Sequence, residues 1–290
     1  MPTMTRLRST LALFTCAMLA VGCGLGDLPR ADTSGGILRA EPERPRSEPA
    51  TLRVVSWNIE RSRQLGAALY EIAHDDSLAD ADVYLFQEIG SDAAERLVRS
   101  TRLAGAHFVA SVRPRSGLEF GNTVLARWPI LDARRVGLPE ASLRRGSPRA
   151  ATVVDLDVEG TLLRVVSIHT ATILLTPRER FEQAEAALEN LRDFEGPTVV
   201  AGDFNTGLKN DVNDLRALFR DHGFQWVAHG ADSTIDTTWW REALLPHHRL
   251  DHVFVRGLRV RSAGVVGATE ASDHLPLWVL VDWPPEATGD

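Results

Sequence analysis

Polar side chains with oxygen or imidazole groups stand at the ends of six apolar segments. They are Asn58, Glu88, His169, Asp203, Asp251, and the pair Asp273 and His274. Any one of them alone is more often a turn former than a catalytic residue. In a mixed sheet, however, the end of one strand and the start of its antiparallel neighbour lie at the same edge. The pattern therefore predicts that these side chains converge on one rim of the fold.

The types of these side chains indicate a metal site. Several carboxylates at one rim repel one another unless a cation neutralises them. Carboxylate and amide oxygens without thiolates favour Mg²⁺, with Mn²⁺ or Ca²⁺ as alternatives. The only two cysteines, Cys16 and Cys23, lie near the N-terminus. Thiolate metal sites and cysteine nucleophiles are therefore excluded from the rest of the chain.

Hydrophobic periodicity predicts the elements that must position this rim. The predicted strands are 52–57, 82–87, 107–111, 121–126, 150–157, 162–168, 197–202, 250–255, 258–266 and 276–282. The predicted helices are 63–74, 91–101, 178–193 and 211–222. The turn Glu159-Gly160 indicates a hairpin and hence antiparallel pairing. Many strands with few helices indicate two stacked sheets with helices outside.

Six short motifs together resemble the endonuclease/exonuclease/phosphatase superfamily. They are Ser-Trp-Asn-Ile-Glu at 56–60, Gln-Glu at 87–88, Ser-Ile-His-Thr at 167–170, Gly-Asp-Phe-Asn at 202–205, Leu-Asp-His-Val-Phe at 250–254 and Ser-Asp-His-Leu-Pro at 272–276. They follow the family's order and approximate spacing over residues 51–283. The resemblance implies an α/β fold, a four-layer α/β/β/α sandwich of two mixed β-sheets flanked by helices. It also implies an enzyme that hydrolyses phosphoester bonds with a divalent metal.

The resemblance assigns roles to the rim residues. The implied metal ligands are Asn58, Glu60, Glu88 and Asp273, and the implied catalytic residues are His169, Asp203, Asn205, Asp251 and His274. Asp203 would orient or deprotonate the attacking water, with Asn205 holding it. Asp251 would keep His274 charged, so that the imidazolium stabilises the negative transition state. His169 would act as general acid, and Asn122 and Arg149 would contact the substrate phosphate.

The substrate class stays open in the sequence. A nuclease-like phosphodiesterase is the expected function. A lipid or small-molecule phosphoesterase, similar to sphingomyelinases or inositol phosphatases, is the alternative, and a non-catalytic binding module on the same fold is the second. Residues 111–149 hold eight Arg and three acidic residues. This stretch would bind a nucleic-acid backbone or form solvated surface, and Trp239-Trp240 would stack on bases, enter lipid headgroups or pack internally.

The N-terminus carries the pattern of an exported bacterial lipoprotein. Arg6 and Arg8 precede an apolar run at 11–21, which ends in Gly22-Cys23. This pattern predicts a signal peptide over 1–23 with lipidation of Cys23, and an ordinary cleaved signal peptide is the alternative. We further expect a disordered tether at 24–50, one phosphoesterase domain at 51–284 and a disordered tail at 285–290. The expected product is a monomer anchored to the membrane of the cell envelope, or otherwise periplasmic or secreted. The formal net charge of −7 excludes a uniformly basic nucleic-acid-binding protein.

Overall fold

The computed structural model describes residues 30–43, 49–139, 147–172, 176–230, 233–234 and 249–284. The predicted signal peptide, Cys23, Trp239-Trp240 and the predicted tail at 285–290 lie outside these ranges. Within them, no helix combines the length and apolar character needed to cross a bilayer.

The chain alternates strands with a small number of helices. The strands are β1 Arg30–Ala31, β2 Gly35–Arg39, β3 Thr51–Asn58, β4 Val83–Ile89, β5 Ala104–Val112, β6 Glu119–Ala126, β7 Ile130–Gly137, β8 Ala150–Val158, β9 Thr161–His169, β10 Thr198–Asp203, β11 Gln225–Trp226, β12 Asp251–Arg256, β13 Val260–Val265 and β14 Leu277–Asp282. The helices are α1 Leu65–His74, α2 Ser91–Thr101, α3 Pro177–Glu189 and α4 Lys209–Asp221, and a 3₁₀ turn covers Glu60–Ser62. Every predicted strand and helix is present, with small differences at the ends.

The strands form two mixed sheets. Sheet 1 has the order β1-β5-β6-β4-β3-β14-β13, with β2 also paired to β5. Sheet 2 has the order β11-β12-β10-β9-β8-β7. Strand β3 is parallel to β4 and β9 is parallel to β10, while their other neighbours are antiparallel. Helix α1 makes the crossover between β3 and β4, and α3 makes the one between β9 and β10, as parallel pairs require.

Three clusters of buried apolar side chains separate four layers. The central cluster lies between the sheets and includes Val54, Leu85, Val165, Val199 and Val279. A second cluster joins sheet 1 to α1 and α2 through Trp57, Phe86, Ala68 and Leu97. The third joins sheet 2 to α3 and α4 through Leu188, Phe219 and Phe254, and the last two rings stack at 3.7 Å. The layers are therefore α/β/β/α, which confirms the predicted fold class.

The predicted disorder of residues 24–50 is wrong for the part that forms β1 and β2. These strands pair antiparallel with β5, where Gly35 lies opposite Phe108 and Ile37 lies opposite Ala106. Backbone hydrogen bonds to an edge strand, rather than a buried apolar face, order this segment. Ile37 and Leu38 accordingly remain 43% and 37% exposed. A strand held by such pairing shows little hydrophobic alternation in its sequence. The edge strand β7 was not predicted for the same reason.

Candidate active site

Strand register places three predicted residues side by side on sheet 2. His169 at the end of β9 is paired with Asp203 at the end of β10. Asp203 is paired in turn with Asp251 at the start of β12. Directly paired positions point to the same face of a sheet. All three side chains are buried, so they form one row at the rim of the sandwich.

Gly202 allows the close strand contact behind this row. A Cβ atom at this position would lie 1.9 Å from the carbonyl oxygen of Ile168 on β9, and φ is +151°. Any side chain would therefore push β10 away from β9 and separate Asp203 from His169. After Asp203 the chain turns through Asn205, with φ 51°, whose backbone N–H donates to Asp203 Oδ1 at 2.9 Å.

Sheet 1 contributes the residues that face this row. Asn58 ends β3, and its Nδ2 donates to Asp203 Oδ2 at 3.0 Å and to Glu88 Oε1 at 3.4 Å. Glu88 lies at a register shift in β4 and has a left-handed backbone, with φ 56°. Such a residue re-aims its side chain relative to a regular strand. Asn58 thus links the carboxylates of the two sheets.

The imidazole of His274 lies between the carboxylates of Asp251 and Asp203. Its Nδ1 lies 2.8 Å from Asp251 Oδ2, and its Nε2 lies 3.7 Å from Asp203 Oδ2. Burial alone would lower the pKa of His274, but the carboxylates of Asp251 and Asp203 outweigh it and raise this pKa to about 10. His274 is therefore an imidazolium at neutral pH, in agreement with the predicted charge state.

Two carboxyl groups of the rim resist ionisation. Burial raises the pKa of Asp203 to about 7, against the opposing effect of the His274 cation. Burial likewise raises the pKa of Glu88, against the effects of Arg149 and His274. A bound cation would restore both negative charges, because an adjacent positive charge favours the ionised carboxylate. The donor set of the rim thus fits a hard divalent metal.

The surroundings of His169 oppose the protonated state that its predicted role as general acid requires. Its ring nitrogens lie 3.2 and 3.1 Å from Nη1 of Arg149. A guanidinium can only donate hydrogen bonds, so at least one ring nitrogen must accept. Burial, then Arg149 and His274, lower the pKa of His169 well below its usual value. Arg149 itself lies at the site, as predicted.

Three other predicted residues make different contacts. The carboxylate of Glu60 binds Arg63 Nη1 at 2.6 Å, because the left-handed 3₁₀ turn directs it along the turn instead of toward Glu88. The amide nitrogen of Asn122 donates to the backbone oxygens of Ala150 and Ser167 at 2.7 and 3.4 Å, so this group holds strands together. Asp273 is half-buried and adds to the field that keeps His274 charged. The structure therefore groups Asn58 and Glu88 with Asp203, while the Glu60 carboxylate pairs with Arg63.

Residues 55–274 match the endonuclease/exonuclease/phosphatase family. The chain belongs to this family. A UPF0294 protein of Yersinia pseudotuberculosis is 30% identical over 240 residues, which are 81% of this chain and 84% of that protein. A UPF0294 protein of Vibrio cholerae is 36% identical over 121 residues, and this match spans only 40% of the Vibrio protein.

Solved structures of the family share the fold. An endonuclease/exonuclease/phosphatase from Beutenbergia cavernae superposes with a TM-score of 0.63 at 21% identity, over 81% of this chain and 72% of that chain. The mannosyl-6-phosphatase Bt3783 of Bacteroides thetaiotaomicron gives a TM-score of 0.60 at 19% identity, over 79% of this chain and 99% of that chain. These identities establish the common fold alone.

Family membership supports a hydrolase, and members generally depend on a divalent metal. Among the described residues, ligand atoms of Asp203, Asp251 and His274 lie within 4.8 Å of one another. This group differs from the predicted ligands, which centred on Glu88 and Asn58. The rim therefore offers two neighbouring places where a cation could be held.

Sequence reasoning assigned no role to the polar residues beneath the rim. Gln87 Nε2 donates to Ser167 Oγ at 2.9 Å, and Ser167 Oγ donates to the Phe86 carbonyl at 3.1 Å. These bonds join the two sheets directly under Asn58 and His169. Gln87 and Ser167 both lie in motifs that resemble the family, next to Glu88 and close to His169. This position in the motifs was the one feature of the sequence that could have indicated their role.

Proposed function

We propose that this chain is a divalent-metal-dependent phosphoester hydrolase that acts most efficiently on phosphodiesters. The observation that carries the proposal is the His274 imidazolium, held 2.8 Å from Asp251 and 3.7 Å from Asp203 at a rim with Asn58 and Glu88. Phosphoryl transfer requires positive charge around the phosphate and an oriented nucleophilic water. The rim supplies both from side chains of the two sheets.

Asp203 is the proposed base for the attacking water. Its Oδ1 is fixed by the Asn205 backbone, and Asn58 donates to Oδ2. A pKa near neutrality is suited to a group that must accept a proton at that pH. Asn205 supports the turn, since its Nδ2 donates to the Thr170 carbonyl at 3.3 Å. These contacts hold Asp203 in one orientation before substrate binds.

His274 and Arg149 are the proposed phosphate-binding cations. His274 stays charged because Asp251 accepts its Nδ1–H, so its Nε2–H is available to a phosphoryl oxygen. Arg149 approaches from the opposite side of the row, beside His169. Neutral His169 then serves as a hydrogen-bonding partner of Arg149 and of the phosphate.

Glu88 and Asn58 are the residues that would hold the metal. Mg²⁺ fits this oxygen donor set, and Mn²⁺ or Ca²⁺ would fit it too. When bound, such an ion supplies charge neutralisation at the phosphate and a more acidic water. Asn58 would need to offer Oδ1, which in this structure accepts the Glu60 N–H at 3.1 Å. Asp203, Asp251 and His274 are better explained as the base and its charged network, because His274 Nδ1 is already bound to Asp251.

The experiment is a substrate screen on the purified protein. DNA, RNA, sphingomyelin, phosphoinositides and sugar phosphates would each be offered with Mg²⁺, Mn²⁺, Ca²⁺ or EDTA. Metal-dependent turnover of one class, lost in His274→Ala, supports the proposal. Activity that survives EDTA would remove the metal, and no turnover with any metal or ester would favour the non-catalytic binding module.

Hydrolysis of a phosphomonoester is the second candidate. Several arginines of the basic stretch 111–149 bind protein groups. Arg127 pairs with Asp80 at 2.6 Å, and Arg135 donates to the Val109 carbonyl at 3.0 Å. These contacts argue against a long nucleic-acid track. The similar Bacteroides structure is a mannosyl-6-phosphatase, so a small phosphorylated substrate is the alternative that the screen must include.

Membrane anchoring at Cys23 is the proposed localisation. The support is the sequence alone: Arg6 and Arg8, the apolar run and Gly22-Cys23. Replacing Cys23 with Ser should release the protein from membranes or leave an unprocessed precursor. A soluble, unmodified protein with an N-terminus well beyond residue 23 would contradict lipidation and favour a periplasmic or secreted form.

A further inference from the structure

We propose that the cleft beside Glu88 binds a second anionic group of the substrate, such as a second phosphate. This inference rests on the proposed function and deepens it. The cleft encloses about 210 Å³, and its lining includes Glu88, Arg149, Arg61, Arg113 and Phe120. It therefore opens directly from the place where the reacting phosphate would lie.

Arg149 supplies a buried positive charge at the inner end of the cleft. The residue is 5% exposed, and its Nε has no hydrogen-bond partner among the residues described. Its guanidinium lies 4.9 Å from the centre of the Phe120 ring. Burial lowers the pKa of Arg149, and the carboxylates of Glu88 and Asp203 offset this effect only in part. An anion in the cleft would therefore stabilise the buried guanidinium further.

Arg61 supplies the second charge through an unusual backbone. The residue has φ 58°, a left-handed conformation that residues other than glycine rarely adopt. This conformation directs its guanidinium to within 6.0 Å of the same Phe120 ring. Its Nε lies 3.8 Å from Glu88 Oε2 and its side chain is 39% exposed, so the ion pair is weak. Arg61 is thus held over the cleft with its hydrogen-bonding capacity largely available.

Arg113 borders the cleft at the base of the β5–β6 hairpin. Its backbone N–H donates to the Leu118 carbonyl at 2.9 Å, which fixes the turn, while its side chain is exposed. No ion pair involves Arg113 among the residues described. Other arginines of the basic stretch bind protein groups, such as Arg134 near Asp132 at 3.6 Å. Arg61, Arg113 and Arg149 therefore bring three positive charges to this cleft.

The size of the cleft limits what it accepts. Its volume of about 210 Å³ among the described residues fits a phosphate and the few atoms that join it to the reacting phosphate. The substrate class inferred is therefore a phosphoester that carries a second phosphate about one sugar ring away.

Matched substrates test this preference. Thymidine 3′-phosphate 5′-(p-nitrophenyl phosphate) and thymidine 5′-(p-nitrophenyl phosphate) differ only in the second phosphate. For the full-length protein we expect KM to be about tenfold lower for the first compound, the scale of a charge-assisted contact. The double variant Arg61→Ala/Arg113→Ala should bring the KM ratio close to one. Arg96→Ala, which removes an exposed charge on α2, should keep the wild-type ratio.

A binding measurement separates this inference from the proposed function. Calorimetry in EDTA would compare thymidine 3′,5′-bisphosphate with thymidine 5′-monophosphate for the wild type, for Arg113→Ala alone and for the double variant. Tighter bisphosphate binding that depends on the two arginines supports the cleft site even if neither nitrophenyl ester is hydrolysed. Turnover of both esters with equal KM values, together with equal binding of the two nucleotides, overturns the cleft site and leaves the hydrolase intact. Thermal melting of each variant checks that it is folded.

Discussion

On sheet 2, His169, Asp203 and Asp251 occupy directly paired positions of three hydrogen-bonded strands. At sheet 1, Glu60 and Glu88 both have positive φ. Glu60 lies in the 3₁₀ turn after β3, and Glu88 lies at the register shift in β4. A regular ladder fixes the direction of each side chain through its neighbours. At a residue with positive φ, the direction of the side chain depends on that one strained backbone conformation, which the surrounding structure must stabilise.

This difference suggests a division of tasks between the two sheets. The paired row of sheet 2 is suited to groups that must be correctly placed before substrate arrives, such as the base Asp203 and the Asp251 carboxylate that orients His274. The turns of sheet 1 are suited to groups that adjust when a cation binds, such as Glu88 and the Asn58 amide. Changes in the two halves should therefore affect different measured quantities.

The largest expected effect comes from Asp251 of the sheet 2 row and its partner His274, which precedes β14. His274→Ala should lower kcat by about 100-fold or more, because an imidazolium that stabilises transition-state charge is lost. Substrate binding should change much less. Asp251→Asn should also reduce kcat, since the largest influence that raises the pKa of His274 disappears. Steady-state kinetics at saturating metal would measure both.

The pH profile shows whether these residues act through charge. Activity of the metal-loaded protein should rise as Asp203 ionises, at a pH below 7 because the bound cation lowers the pKa of about 7 that Asp203 has without metal, and should fall above about pH 10 as His274 loses its proton. Asp251→Asn should move the alkaline limb to lower pH. Asp273→Asn, the neighbouring control, should move it less, because Asp273 makes the smallest contribution to that pKa. An unmoved alkaline limb in Asp251→Asn would contradict the imidazolium role.

The second prediction concerns metal affinity and the turn half. Glu88→Gln should weaken metal binding on the order of 100-fold, because it removes the buried charge that a cation would neutralise. Titration calorimetry with Mn²⁺ would measure this loss. Glu95→Gln, a surface variant on α2, is the control. If Asp251→Asn weakens metal binding and Glu88→Gln does not, the ion belongs to the Asp203, Asp251 and His274 group instead.

The third prediction tests neutral His169 at the edge of the ladder. His169→Ala should reduce kcat by on the order of tenfold, because Arg149 loses its hydrogen-bond partner near the phosphate. The loss should be equal for p-nitrophenyl and phenyl esters of the same phosphate. A general acid matters little for the activated nitrophenyl ester. Selective rescue of that ester would therefore restore the general-acid role that the sequence predicted.

The contrast between the halves also explains what could be predicted from the sequence. Alternating and apolar segments predicted the strands, and strand ends predicted the row that contains Asp203 and Asp251. The direction of Glu60 could not be predicted, because its φ of 41° depends on the turn around it. The edge strand β7 was not predicted, because charged residues such as Asp132 and Arg134 interrupt the alternation of apolar and polar residues. The lowered pKa of His169 could not be predicted, because it arises from burial in the folded rim and from the nearby charges of Arg149 and His274.

The smallest expected effect is that of Glu60→Gln. The carboxylate of Glu60 is bound to Arg63, and both side chains are partly exposed, at 26% and 57%. Pairs of this kind contribute little to stability, about 0–1 kcal/mol. The variant should therefore change metal affinity and kcat by no more than about threefold, and the melting temperature by no more than about a few degrees. The same titration and kinetic assays used for Glu88→Gln would measure it.

A large effect of Glu60→Gln would be informative about the turn. Glu60 lies two residues after Asn58, and its backbone N–H donates to Asn58 Oδ1. If metal binding draws this oxygen toward the ion, that hydrogen bond breaks and the turn is released. Glu60 would then be able to leave Arg63 and approach the metal, as the resemblance implied. A loss of affinity in Glu60→Gln that matches Glu88→Gln would show this rearrangement, and Arg63→Ala should then strengthen metal binding. If both Glu60→Gln and Arg63→Ala behave like the wild type, the turn keeps the conformation seen here, and Glu88 with Asn58 holds the ion without Glu60.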